Sequence, residues 1–327
     1  MVHVRRVVLV GIALSVLASA CTSDEPEPTG PTQTSQVVAV PATSDLYAGD
    51  PQRVSLGLVL HDGRLISFGE AEVSFSYVGT AAEPTQPQPG PDAKATFVPT
   101  YGTPDGPGIA AVTAPTEGRG VYEVDGVTFD RAGFWTAEVT VDVQGMGTQT
   151  AEASLPVFEA PQIPAPGDRA MRTQNLTLDS KGVPQGAIDS RAATTGEIPD
   201  PELHEWTIAR AIEQGRPSLV LFATPVYCVS RFCGPVTDMV QELAARYDDR
   251  AVFIHVEIYE EFADEPGEES VVNEAALEWL QTPSGDLTEP WLYLIDSDGI
   301  ILDRWSSMWS EADVEAALED LPPMGRN

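Results

Sequence analysis

The chain has 327 residues, room for about two domains of ordinary size. Its formal net charge of −32 argues against binding nucleic acid through the phosphate backbone, and against adhesion to anionic lipid through surface charge. The hydrophobic fraction of 42% is enough to build buried cores.

The first 20 residues have the pattern of a secretory signal. Arg5 and Arg6 precede an apolar run over 7–18, which is shorter than the roughly 20 residues of a spanning helix. The next small residues lead to Cys21, and the string LASAC that ends there resembles a bacterial lipobox, although its leucine stands one position further from the cysteine than is usual. The resemblance implies cleavage before Cys21 and lipidation of its thiol. The alternative is an ordinary secretory signal followed by a chance cysteine.

We therefore expect a signal peptide over 1–20 and a flexible, proline-rich tether over 21–36. The expected location is the extracytoplasmic face of the cell membrane, where the lipid on Cys21 anchors the chain.

Residues 37–160 predict an all-β domain. Alternating apolar residues predict strands over 53–60 and 72–78, on either side of the Asp62-Gly63 turn. Further short strands are expected at 95–98, 109–113, 119–128, 133–143 and 148–158, with loops at 84–91 and 102–108. Seven or so short strands with turn signals between them predict a β-sandwich. The stretch 120–135 resembles late strands of small immunoglobulin-like domains of exported bacterial proteins, which implies a fold and no activity.

The segment 161–199 is rich in Pro, Gly, Asp and Thr, lacks strong periodicity and predicts a linker. From 200 to 322, helix and strand patterns alternate. Strands are expected at 218–223, 251–258, 290–295 and 300–305, the last two joined by a turn at Asp298-Gly299. Helices are expected from Asp200 to Gly215, from near Pro235 to Tyr247, from Ser270 to Leu280 and from Ser310 onward.

The order of these elements is strand, cysteine pair, helix, strand, helix, X-Pro strand, hairpin and helix. Together with Tyr227 before Cys228, the string Cys233-Gly234-Pro235 that leads into a helix, and Glu289-Pro290 before a strand, this order resembles the thioredoxin fold over 200–322. The expected fold class is thus multidomain, with an N-terminal all-β sandwich and a C-terminal α/β thioredoxin fold. The resemblance implies that Pro290 is cis and faces the cysteines, with Tyr227 and the Glu289 backbone positioning a substrate.

Cys228 and Cys233 carry the expected chemistry. With Cys21 lipidated, each has no other cysteine in the chain to pair with in an oxidising compartment. The family spacing is C-x2-C, whereas here it is C-x4-C. On a regular helix five residues rotate about 140° beyond one full turn, so residues 229–232 must form a loop. Distance from the preceding strand favours Cys228 as the nucleophile, although proximity to the helix favours Cys233.

Two charged residues are candidates for tuning the thiols. Arg231 lies inside the loop, where it could stabilise a thiolate. Many thioredoxins bury an acid in the strand before the cysteines, but the matching residue here is Phe222. Glu257 on the neighbouring strand could substitute, and the interpretation we favour is that it lies at a strand end in solvent.

These observations predict a thiol–disulfide oxidoreductase that acts on exported thiol or disulfide proteins, with no cofactor, no metal and no nucleic-acid partner. The resemblance favours reduction as the direction. One alternative is a partner-binding lipoprotein with a structural disulfide. The other is a copper chaperone of the Sco type, which shares the fold but adds a histidine from a later loop. No histidine follows His255, which we expect to be packed in its strand.

Overall fold

The computed structural model describes residues 36–103, 110–114, 119–228, 230, 232–263 and 268–324. The predicted signal peptide over 1–20, Cys21 and all but the last residue of the tether therefore lie outside the described residues, as does most of the predicted loop over 102–108. The architecture is β-rich, with several sheets and few helices, as expected for a multidomain protein. Within the described ranges, no helix is both long and apolar enough to cross a membrane.

Among the described residues before 160, ten strands form one continuous hydrogen-bonded sheet with the order β2-β10-β9-β5-β6-β8-β3-β4-β7, while β1 pairs with β3. Side chains on alternate positions, such as Trp135, Ala137 and Val139 of the ninth strand, point into one apolar core. The strands are β1 (Val37–Pro41), β2 (Leu46–Tyr47), β3 (Gln52–Leu60), β4 (Leu65–Ser67), β5 (Glu70–Gly79), β6 (Pro84–Pro99), β7 (Val112–Ala114), β8 (Gly120–Val127), β9 (Gly133–Val143) and β10 (Gly147–Phe158).

Strand β6 differs from the prediction, because the stretch 84–91 is its first half and not a loop. This half pairs with β5, placing Pro84 opposite Gly79 and Pro89 opposite Ser76. The pairing of β6 with β8 is confined to Thr96–Pro99. Proline has no backbone N–H to donate, so it is poorly tolerated in a strand that is paired on both sides. An edge segment that is paired on one side tolerates it.

The second sheet, after residue 217, has the order β12-β11-β15-β16, in which β11 and β12 are parallel and the other pairs antiparallel. One apolar cluster packs α3 and α5 on one face of this sheet, and another packs α2 and α4 on the other face. The elements are α1 (Ala192–Thr195), α2 (Ile208–Glu213), β11 (Ser218–Ala223), α3 (Cys233–Tyr247), β12 (Val252–Glu257), β13 (Tyr259–Glu261), β14 (Val271–Val272), α4 (Glu274–Leu280), β15 (Trp291–Ile295), β16 (Ile301–Ser306) and α5 (Glu311–Glu319). Strands β13 and β14 form a separate two-stranded ribbon.

Three helix starts differ from the prediction. The helix expected from Asp200 is a short 3-10 helix over Pro201–His204 followed by α2, which is capped by the Thr207 hydroxyl. Helix α4 is capped by Asn273, three residues after the expected Ser270. Helix α3 begins at Cys233 itself, two residues before Pro235. Proline fits there because the N–H groups of a first helical turn have no partner within the helix.

The predicted linker 161–199 is packed along the second sheet. The Ile301 N–H donates to the Asp168 carbonyl, and the Trp279 indole N–H donates to the Thr173 hydroxyl at 2.8 Å. The segment also contains a 3-10 helix over Gln185–Ala187 and helix α1. Its partners lie far away in the sequence, so hydrophobic periodicity gives no sign of this packing.

Two arginines join the first sheet to the second. The side chain of Arg304 of β16 is only 7% exposed, and its guanidinium lies 2.8 Å from the Asp45 carboxylate and donates to the carbonyls of Ile163 and Pro164. Arg53 of β3 binds both carboxylate oxygens of Asp303, at 2.9 and 2.8 Å.

The chain just before Asp45 continues this contact. The Ser44 hydroxyl lies 3.1 Å from the hydroxyl of Thr288, and the Ala42 carbonyl accepts a hydrogen bond from Ser307. The N-terminal sheet is thus fixed against the segment that precedes β15.

We expect Asp45→Ala to lower the free energy of unfolding by about 3–5 kcal/mol, because it leaves the Arg304 guanidinium buried without its counterion. Urea denaturation at neutral pH measures this change. Lys94→Ala is the matched control, since Lys94 and its partner Glu70 are both more than half exposed, and it should change stability by less than about 1 kcal/mol. Equal effects of the two substitutions would contradict this account of the contact.

Candidate functional site

The two cysteines lie where β11 gives way to α3. All six side chains of β11 are buried. After Ala223 the chain turns, and the Cys228 N–H donates to the Thr224 carbonyl at 3.1 Å. Cys228 is half-buried, whereas Cys233, the first residue of α3, is fully buried. Both thiols are free, so the predicted disulfide between them stays a prediction for the oxidised protein.

Hydrogen bonds stabilise the thiolate of Cys228. The Cys233 thiol donates to the Cys228 sulfur, whereas burial opposes ionisation. The Ser230 hydroxyl, 3.1 Å away, and the backbone N–H groups of Cys233 and Phe232 also donate to this sulfur. The net effect is to lower the pKa of Cys228 to about 5. The two N–H groups belong to the start of α3, where backbone donors have no helical partner and the helix dipole favours negative charge.

Cys233 is the opposite case. Its hydrogen bond to Cys228, its burial and the negative charge of Cys228 all raise its pKa well above that of an ordinary thiol. The pair therefore holds one ionised, accessible sulfur and one protonated, buried sulfur. This asymmetry agrees with the choice of Cys228 as the attacking residue.

The carboxyl group of Glu289 senses the charge of Cys228. Burial, followed by the charges of Cys228 and Glu257, raises the pKa of the half-buried Glu289 carboxyl to about 7. The resemblance implies a place for the Glu289 backbone beside the cysteines but assigns no part to this carboxyl. The Glu289–Pro290 peptide bond is cis, as the resemblance implies, and Pro290 is buried.

An aromatic cluster lies beside the cysteine loop. The ring of Tyr227 stacks on Phe262 with centroids 4.1 Å apart, and Tyr259 meets both rings edge-on. Val226, next to Tyr227, is 55% exposed. The surface next to Cys228 therefore includes three aromatic rings in mutual contact and the exposed side chain of Val226.

The favoured interpretation of Glu257 is wrong, because Glu257 is buried and not in solvent. Its carboxylate accepts hydrogen bonds from the N–H groups of Ser190, at 2.8 Å, and Ile258, at 3.0 Å. Burial raises its pKa. The partner Ser190 comes from the predicted linker, and strand patterning alone does not reveal such a contact.

Two further predicted residues, Arg231 and Cys21, lie outside the described residues. His255 is buried in the middle of β12, as expected. The sequence reasoning missed its neighbours, Asp189 and His204, which approach its ring from the predicted linker and from the following 3-10 helix.

No protein-family model matches the chain, and a search of curated proteins found no match. The assignment of a site therefore depends on the geometry of the cysteines and their neighbours.

We expect Cys228, and not Cys233, to react with iodoacetamide at mildly acidic pH. In a Cys21→Ser background, the Cys233→Ser variant should be alkylated at pH 6 about ten times faster than a free thiol, with a rate that falls as the pH drops through about 5. The matched Cys228→Ser variant should react more slowly than a free thiol, since Cys233 is buried and protonated. Faster alkylation of the Cys228→Ser variant would reverse the assignment.

We expect the Glu289 carboxyl to titrate at lower pH when the thiolate of Cys228 is removed. In reduced Cys228→Ser, its pKa should fall below about 7 but stay above that of an ordinary glutamate, because burial remains. Carboxyl carbon chemical shifts followed against pH measure this value. Reduced Cys233→Ser, which keeps the Cys228 thiolate, is the control and should retain the raised pKa. An identical titration in both variants would show that the carboxyl does not sense Cys228.

Proposed function

We propose that the α/β part of this chain is a thioredoxin-like thiol–disulfide oxidoreductase. The observation that carries the proposal is the asymmetry of the cysteine pair, in which an accessible thiol with a pKa of about 5 is hydrogen-bonded to a buried, protonated one. A disulfide that only staples a loop needs neither an ionised thiol nor access to solvent, whereas exchange chemistry needs both.

The order of elements supports the same proposal. A buried strand, the cysteine loop, a helix, a parallel strand, a helix, a strand that follows an X-Pro bond, a hairpin strand and a final helix occur between Ser218 and Glu319. This is the order that the resemblance to thioredoxins implies. Helices on both faces of a four-stranded sheet agree with it as well.

The geometry suits transfer of a disulfide to a substrate dithiol. A substrate thiolate attacks the Cys228 sulfur of the oxidised pair, which breaks the Cys228–Cys233 bond, and Cys233 leaves and takes up a proton. The second substrate thiolate attacks the substrate sulfur of the mixed disulfide and expels Cys228 as a thiolate. The substrate loses two electrons to the pair, and the second of its two protons goes to solvent.

The low pKa of Cys228 bears on the direction of exchange. A stabilised thiolate favours the dithiol form of the pair and makes Cys228 a good leaving group, which raises the reduction potential. We therefore propose disulfide donation or isomerisation over the reduction that the resemblance favours. The pair would be re-oxidised by a second, disulfide-bearing protein. The proposed substrates are exported thiol proteins, met at a membrane to which the lipid on Cys21 anchors the chain.

The reduction potential of the pair tests this function directly. Equilibration with glutathione buffers, read by mass after acid quenching and alkylation, should give a value between about −270 and −120 mV, as for working redox pairs. A value below about −300 mV is typical of structural disulfides and would favour the partner-binding alternative.

The Phe232→Ala variant tests whether the reduction potential depends on side-chain packing beside the cysteines. Phe232 offers its backbone N–H to Cys228, and that donor is unchanged by the substitution. Its potential should stay within about 30 mV of the parent, whereas Ser230→Ala, which removes a side-chain donor, should make the potential more negative.

A further inference from the structure

A buried cluster outside the cysteine site joins one carboxylate to two imidazoles. The Asp189 Oδ2 atom lies 3.3 Å from the His204 Nε2 atom and 3.6 Å from the His255 Nδ1 atom. All three side chains are fully buried. They come from three separate segments: the stretch after the Gln185–Ala187 3-10 helix, the end of the Pro201–His204 3-10 helix, and the middle of β12.

The tautomer of His255 leaves an unshared electron pair inside this cluster. Its Nε2 atom lies 3.1 Å from the Ala223 carbonyl oxygen, which can only accept, so Nε2 carries a hydrogen. In the neutral ring Nδ1 is then a bare acceptor that faces the Asp189 carboxylate and has no hydrogen-bond partner. Two buried acceptors face each other at this distance only if a cation lies between them.

Among the described residues, Arg191 donates to the carboxylate of Asp189 and forms an ion pair with the buried carboxylate of Asp200. Neither contact reaches the His255 Nδ1 atom, which stays without a hydrogen-bond partner.

We propose that Asp189, His204 and His255 bind one divalent transition-metal ion of the borderline class that Zn²⁺ represents. Two imidazoles and a carboxylate are a donor set that such ions accept. Bonds of about 2.0–2.1 Å in a tetrahedral site place neighbouring ligand atoms roughly 3.3–3.4 Å apart. The two separations from Asp189 Oδ2 are 3.3 and 3.6 Å, and all three ligand atoms lie within 4.8 Å of one another. The hydrogen bond from His255 to the Ala223 carbonyl is the kind of contact that orients metal-binding histidines.

The position of the site indicates a structural role. It would tie the 185–204 segment to β12 directly beneath the cysteine loop, where the Ser190 hydroxyl accepts a hydrogen bond from the Val226 N–H at 3.2 Å. Binding would therefore fix the base of that loop without involving either thiol.

Zinc titration of the full chain tests the site. Cys21→Ser, Cys228→Ser and Cys233→Ser are combined in every protein, because thiolates also bind Zn²⁺ and would mask the site. After removal of metal with dipicolinate, calorimetry with ZnCl₂ should give one ion per chain. His204→Gln and His255→Gln should each weaken this binding at least tenfold. The control His61→Gln changes an exposed histidine outside the cluster and should leave it unchanged.

A second measurement keeps the test decisive if the histidine variants do not fold. Co²⁺ added to the cysteine-free chain should give the visible absorption of a tetrahedral site with nitrogen and oxygen ligands. The absence of that spectrum, or zinc binding that survives both histidine substitutions undiminished, would overturn the proposal, and the cation between His255 and Asp189 would then be a proton. Because these proteins lack the cysteine pair, the result is independent of the redox function.

Discussion

The complete burial of β11 is the constraint on which the rest of the α/β part depends. A central strand with no exposed side chain must pair on both edges and be covered on both faces, and β12, β15 and the flanking helices meet these demands. The chain leaves the sheet only at the end of this strand, after Ala223. The cysteine loop starts there, and the Ala223 carbonyl also receives the His255 hydrogen bond. One strand end thus positions both the thiols and the histidine cluster.

The N-terminal sheet contributes to the surroundings of the thiols. Asp45 neutralises the buried Arg304, and Ser44 contacts Thr288, the neighbour of Glu289, whose carboxyl senses the charge of Cys228. A flexible spacer between a membrane and a redox domain would need no such buried charge pair. The hydrogen bonds and the ion pair hold the N-terminal sheet against the segment that carries Glu289 and Pro290.

The sequence allowed prediction of those elements whose signals are local. The continuous apolar run over 218–223 is a strand with the bounds expected, and the hairpin turn at Asp298-Gly299 is present. The burial of Glu257 and the approach of Asp189 to His255 could not be predicted, because Glu257 and its partner Ser190, like Asp189 and His255, lie more than 50 residues apart. The resemblance placed Glu289 beside the cysteines but gave its carboxyl no part. The first half of β6 was missed for another reason: proline is a strong turn signal, and only an edge position makes it compatible with a strand.

The first half of β6, which carries the prolines, bears on how readily neighbouring copies of the protein associate through this edge. An open sheet edge offers unpaired N–H and C=O groups to any passing strand and is a common start of aggregation. Here Pro84, Pro87, Pro89 and Pro91 lack backbone N–H groups, in a stretch that pairs on one side only among the described residues. Copies held close together on a membrane by their proposed lipid anchors would bring this edge into frequent contact with other strands. The missing N–H donors would weaken hydrogen bonding between those strands.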